Sequence, residues 1–199
     1  MKKLLTAAAF MVAFGLFNPA SAKANVLFYD PFNVSPALNG WDVSGAGSAT
    51  SNGTYTTLTA NQFQQSRIRQ SNFSTVGFHN LVFSWDDRAS SVLDNTHQTS
   101  NTGIDFSEFR WRITGESAWN TFIIGNSSIW NSRTLILPEL ASNSHIDFGY
   151  RLVNAGFGSD ILRVDNLRLS GDPVVPEPAS MVLLGSGLFG LAGLRRKKS

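Results

Sequence analysis

Between residues 25 and 173 no stretch keeps the i, i+3, i+4, i+7 spacing of an amphipathic helix. Short runs with a period of two recur instead, separated by Gly, Asn, Ser and Pro. The clearest is Phe106–Thr114: Phe109, Trp111 and Ile113 fall on one face, Glu108, Arg110 and Arg112 on the other. Asn80–Asp87 repeats the pattern, with Leu81, Phe83 and Trp85 alternating against Val82, Ser84 and Asp86. Further strands are expected at Val26–Tyr29, Trp41–Val43, Gly53–Leu58, Ser66–Gln70, Thr121–Ile124, Thr134–Leu137, His145–Val153 and Asp160–Ser170. In the last, Leu162 and Val164 share one parity and Leu167 and Leu169 the other. A bulge near Asp165-Asn166 would bring all four to one face. Composition agrees: Ser, Asn and Thr make up 47 of these 149 residues, Lys is absent, and all five Trp lie here. The pattern predicts an all-β fold, a two-sheet jelly-roll-like sandwich over residues 25–172. Asn39–Gly53 and Ala89–Gly103 are expected as long loops, and Gly171–Pro178 as a linker.

Charge separates the chain into three parts. Residues 1–24 carry +3, residues 25–173 carry −4 and residues 174–199 carry +3, for a net +2. All nine basic residues of the middle part are Arg. A net-negative body disfavours nucleic acid as a partner, because that binding needs a positive face against phosphates. Cysteine is absent, which excludes disulfides, thiolate metal sites and thiol nucleophiles.

The first 24 residues read as a signal peptide. Lys2 and Lys3 precede the 14-residue, almost wholly apolar run Leu4–Phe17, and Pro19 breaks any helix. Ala20 and Ala22 supply the small residues a signal peptidase requires. At the other end, Pro176-Glu177-Pro178 precedes an uncharged stretch from Ala179 to Leu194. Its 16 residues would make a helix of about 24 Å, a single transmembrane helix slightly short of the bilayer core. Arg195, Arg196, Lys197 and Lys198 would hold the tail cytoplasmic and leave the body outside.

Pro176-Glu177-Pro178, the apolar stretch with Gly185, Gly187, Gly190 and Gly193, and the Arg/Lys tail together resemble the PEP-CTERM sorting signal of Gram-negative bacteria. The resemblance covers about the last 25 residues, within the linker and anchor segment 173–199. It implies recognition by an exosortase, a membrane-embedded processing enzyme, with Pro176, Glu177 and Pro178 as the recognition element and Arg195, Arg196, Lys197 and Lys198 as the membrane-stop cluster. The protein is then expected to be exported across the inner membrane, anchored before processing, and delivered to the cell surface or exopolysaccharide matrix.

Within the body, chemistry has few candidates. A glycosidase needs two carboxyl groups around the scissile bond. Glu108, Glu116 and Glu139 are the only glutamates there. Glu108 falls on the outer face of its strand and Glu116 in a turn, both expected as solvated acids. His79, His97 and His145 are isolated, so no zinc pattern forms. Sugar rings stack on indoles beside polar groups. Trp85, Trp119 and Trp130 are therefore candidate ligand residues, with burial in the core as the alternative, and Trp111 is expected inside. Asp86 and Asp87, followed by Arg88, form a second candidate at a strand end. The order of elements also resembles extracellular jelly-roll carbohydrate-binding and lectin-like modules, through Phe28-Tyr29-Asp30-Pro31-Phe32, Gly115-Glu116-Ser117-Ala118-Trp119 and Val164-Asp165-Asn166-Leu167. That resemblance implies a structural calcium ion, with Asp30, Asp160 and Asp165 as candidate ligands. The expected function is a non-enzymatic surface or matrix protein that binds polysaccharide. A secreted glycan hydrolase and a structural adhesin-like component are the alternatives.

Overall fold

A computed structural model describes residues 24–33, 40–90, 105–156 and 158–174. The expected signal peptide with Ala20 and Ala22, the sorting motif, the apolar anchor and the basic tail lie outside these residues. Among the described residues no helix is long and apolar enough to cross a membrane.

Eleven strands run β1 (Asn25–Asp30), β2 (Asp42–Ser44), β3 (Ser48–Ser51), β4 (Thr56–Asn61), β5 (Gln64–Ser74), β6 (Phe78–Ser90), β7 (Phe106–Ile113), β8 (Asn120–Ile124), β9 (Asn131–Ile136), β10 (His145–Asn154) and β11 (Ser159–Pro173). They form two antiparallel sheets. A six-stranded sheet has the order β3-β4-β11-β6-β9, with β1 also on β11, and a five-stranded sheet has the order β2-β5-β10-β7-β8. β4 and β1 lie end to end along one edge of β11, β4 on Ser159–Val164 and β1 on Leu167–Gly171.

The period of two sets what is buried. Along β6, Leu81, Phe83, Trp85, Asp87 and Ala89 are inside and the residues between them are half-buried. Their rings meet those of the other sheet. Trp85 stacks on Phe109 with centroids 4.6 Å apart, and Phe83 meets Phe109 and Phe148 at 4.9 Å each. Trp111 is buried, as its parity predicts. The expected bulge forms: Asn166 takes φ +53° and the β11–β6 register shifts between Asp165 and Arg168. The extra residue restores phase, and Leu162, Val164, Leu167 and Leu169 are all fully buried.

Several boundaries differ from the expectation. β3 lies inside the segment expected as a loop. Its sequence, Ser-Ala-Thr-Ser, has no strong alternation, because an edge strand needs to bury little, and only Ala49 packs on the core. β4 begins at Thr56, not Gly53, because the Asn52 side chain accepts the Thr54 and Tyr55 amides and closes a turn. β11 continues through Pro173, which lies opposite Phe78, so the linker begins later than Gly171. Ala89 and Ser90 complete β6, and residues 91–103 of the expected loop lie outside the described residues.

Packing demands a glycine at position 149. A Cβ on Gly149 would stand 2.1 Å from the Ile68 carbonyl oxygen and 2.9 Å from Arg69 Cα. Both are backbone atoms of the neighbouring strand and cannot swing away. Gly149→Ala is expected to cost about 1–3 kcal/mol, the usual penalty of overpacking. Thermal melting of the variant should show a midpoint several degrees lower; an unchanged midpoint would mean that β5 and β10 are not in this contact.

Candidate functional site

The outer face of the five-stranded sheet carries a cluster of Arg. Because Phe109 and Trp111 face the core, Glu108, Arg110 and Arg112 of β7 must face outward. Because Phe148, Tyr150 and Leu152 of β10 are buried, Asp147, Gly149 and Arg151 take the outer face. The register lines these up into rows. Glu108, Arg151, Arg67 and Ser44 form one across β7, β10, β5 and β2, and Arg110, Gly149, Arg69 and Asp42 form the next. Arg112 lies opposite Asp147. Five of the nine body arginines thus stand on one sheet face.

Three carboxylates share that face, each beside one guanidinium. Arg112 donates through Nε to Asp147 at 2.9 Å, and the Asn72 amide and Thr114 hydroxyl donate to the same carboxylate. Burial raises the Asp147 pKa, but these donors outweigh it and hold the group below the usual carboxylate range. Arg69 pairs with Asp42 at 3.0 Å. Arg151 stands 3.7 Å from Glu108. Glu108 is on the expected outer face but is not solvated: it is 5% exposed, and burial pushes its carboxyl up against the pull of Arg151 and Arg110. Glu108 and Asp147 are four residues of register and one strand apart, about 14 Å by strand rise and spacing. That is wider than the separations of about 5–9.5 Å at which paired carboxyls cleave glycosides.

Arg67 and Arg110 have neither an ion pair nor a side-chain hydrogen bond among the described residues, and Arg67 Nε is buried without a partner. Arg110 is only 8% exposed. Its pKa is lowered to about 10, first by burial and also by Arg151, Arg67 and Arg69, with Glu108 opposing. Trp119, carried by the β7–β8 connection, lies over both Arg110 (4.2 Å to the ring centroid) and Arg112 (4.4 Å). At the far end of the same strands, beyond the Arg151–Arg67 pair, a depression of about 210 Å³ is lined by Gln64, Gln65, Val153, Asn154, Ala155 and Phe63. Trp119 and this depression bracket the guanidinium rows.

Only one of the expected ligand tryptophans belongs to this face. Trp85 is 2% exposed, stacked in the core, with Nε1 donating to Asp87 at 2.9 Å. Asp87 is itself buried and paired with Arg133 at 3.1 Å. Both are corrections: the parity that buries Phe83 also buries Trp85 and Asp87, so neither can meet a ligand. Asp86 and Trp130 reach the outer face of the other sheet. Asp86 accepts from Ser132 and Asn166, and Trp130 packs on Tyr55 with Arg88 5.5 Å from its ring.

The three expected calcium ligands do not gather. Asp30 accepts the Phe32 amide and the Trp41 indole, both at 2.7 Å. Asp165 pairs across strands with Asp86. Asp160 lies at the opposite end of β11 from the β1 contact, next to Asp105, which accepts the Ala155 amide. Among the described residues no group of three or more His, Asp or Glu could hold a metal ion.

None of Arg67, Arg69, Arg110, Arg112 and Arg151 is a site candidate from the sequence. The signal was present as Arg67-x-Arg69 and Arg110-x-Arg112, each a pair on one strand face, in a body that contains no Lys.

A family model described as the PEP-CTERM protein-sorting motif matches residues 174–197. The chain carries a PEP-CTERM sorting motif. It includes Pro176, Glu177, Pro178, Arg195, Arg196 and Lys197, and Lys198 follows it directly. The motif implies exosortase-dependent export and sorting to the cell surface in Gram-negative bacteria. No curated protein matches the chain. A mutant of a family 29 carbohydrate-binding module is similar at 14% identity over 80% of this chain and 93% of that one, with a TM-score of 0.50. A carbohydrate-binding module of the β-sandwich superfamily matches at 16% identity over 67% of this chain and 58% of that one, with a TM-score of 0.49. The enzymatically active domain of a bacteriophage tailspike protein matches at 11% identity and a TM-score of 0.49, with 70% of this chain on 20% of that one. The chain thus spans 58% and 20% of the length of the last two. What the family 29 likeness establishes is the fold, a sandwich of the jelly-roll kind seen in carbohydrate-binding modules.

Asp160 yields a pH prediction. It is 4% exposed, its Oδ2 has no hydrogen-bond partner among the described residues, and burial, then Asp105, pushes its carboxyl up to about 7. An unfolded Asp ionises at about 4. Its contribution to stability is therefore full below about pH 4 and lost as pH rises through about 7. Asp160→Asn should melt like the parent at about pH 4 and several degrees higher at about pH 8, with EDTA present in both. Equal melting under the alkaline condition would show that the carboxylate ionises there without cost.

Proposed function

We propose that the protein is an exported, non-enzymatic surface or matrix component whose sandwich domain binds polysaccharide along the outer face of β2-β5-β10-β7-β8. The observation that carries this is the track on that face: an indole at one end, a depression at the other, and guanidinium donors between them. From Asp147 to Val153 the track follows six residues of β10, about 20 Å by strand rise. A length of that kind suits several sugar units of an extended chain rather than a compact small molecule. Ring faces of sugars match the indole, and hydroxyls match the guanidinium N–H groups. The sorting motif supports the same conclusion, because it directs the domain to where polysaccharide is encountered.

The test is binding of the full-length chain to a polysaccharide array, followed by titration on the best binders. Trp119→Ala should weaken binding roughly three- to tenfold, the worth of one aromatic contact. Trp130→Ala, on the opposite face, should leave it unchanged. Loss with Trp130→Ala and none with Trp119→Ala would move the site to the other sheet.

A further inference from the structure

The five arginines of the track, Arg67, Arg69, Arg110, Arg112 and Arg151, face only three carboxylates, Asp42, Glu108 and Asp147. Each carboxylate is already beside one guanidinium: Asp42 with Arg69, Asp147 with Arg112, and Glu108 with Arg151. Arg67 and Arg110 are left over, and Arg151 keeps an Nε that is buried without a hydrogen-bond partner. Arg110 is more than nine-tenths buried. Arg110 has only a share of Glu108, which already stands beside Arg151, and a buried cation without a counter-ion of its own is costly. The body as a whole is at −4, so this excess of positive charge is local to one face.

We propose that the track binds an anionic polysaccharide, whose carboxylate or sulfate groups dock on Arg67 and Arg110. This rests on the polysaccharide-binding face described above and adds the chemistry of its ligand. Two geometric features point to a chain with repeating charges. Arg151 and Arg67 stand on adjacent strands, about 5 Å apart in the backbone, and Arg110 and Arg69 stand two strands apart with side-chain-free Gly149 between them, about 10 Å. A guanidinium fork matches the planar carboxylate and the sulfate oxygens through paired N–H groups, which a Lys could not do. Nucleic acid is disfavoured because its dense phosphates need a broadly positive surface, and here the surrounding body is acidic.

The experiment titrates the full-length chain with polygalacturonate and with its methyl ester, and in a second arm with dextran sulfate and dextran. Each pair shares a backbone and differs in charge, and the two arms separate carboxylate from sulfate. The charged member of at least one pair should bind at least tenfold more tightly, with affinity falling as salt rises. Arg67→Gln and Arg110→Gln should each weaken that binding roughly tenfold or more. Arg168→Gln, an exposed arginine of the other sheet, should not. Thermal melting of Arg110→Gln checks that the variant is folded, since Arg110 also packs on Trp119 and faces Glu108. If that variant fails to fold, Arg67→Gln decides the matter. Equal binding to charged and neutral members overturns the anionic proposal and leaves polysaccharide binding intact. Binding to no polysaccharide overturns both. Equally tight binding to single-stranded DNA or polyglutamate shows a general polyanion surface and overturns the choice of polysaccharide.

Discussion

Aromatic packing between the two sheets is the contact on which the rest depends. Trp85, Phe83, Phe109, Phe148 and Tyr150 meet at centroid distances of 4.6–6.4 Å, from β6 on one sheet and β7 and β10 on the other. Burying rings of this size is a large apolar contribution, and each edge or stacked contact adds to it. Once these rings face inward, strand geometry leaves no freedom about their neighbours. Every residue between them must face the outer side of its own sheet.

The arginine face is a direct result. Arg110 is outside because Phe109 and Trp111 are inside, and Arg151 is outside because Tyr150 and Leu152 are inside. Antiparallel register then brings guanidiniums from β5, β7 and β10 into common rows, although they lie up to 84 residues apart in the chain. Asp147 stabilises one end of this surface by accepting from three elements at once. The centre has fewer acids than bases, and that imbalance distinguishes it from an ordinary salt-bridged surface. Surface ion pairs are nearly neutral in energy, so a set of matched pairs would imply little. Unmatched, desolvated guanidiniums carry more information.

Much of the sandwich was legible because one rule, the period of two, controls both burial and strand identity. Phe106–Thr114 and Asn80–Asp87 show it without interruption, and both became long strands. The phase slip in the last strand located its bulge, since an inserted residue at Asn166 is what lets Val164 and Leu167 be buried together. Strand β3 was not legible, because a short edge strand of small residues needs no apolar alternation. Trp85 and Asp87 looked like ligand residues at a strand end, yet β6 runs on to Ser90, so the interior continues past them. Asp30, Asp160 and Asp165 looked like one set, but β11 is 15 residues long and separates Asp160 from the other two.

By itself the sequence determined the all-β class, the alternation of faces along its clearest strands, and the destination implied by its last residues. These are local properties, carried by parity and by a contiguous motif. Only the tertiary structure decided which outward faces share a sheet, that Arg67 and Arg110 form no ion pair among the described residues, and that Trp119 and not Trp85 stands beside Arg110. Those depend on register between strands distant in the chain, and a shift of one residue would have turned the same arginines toward the core.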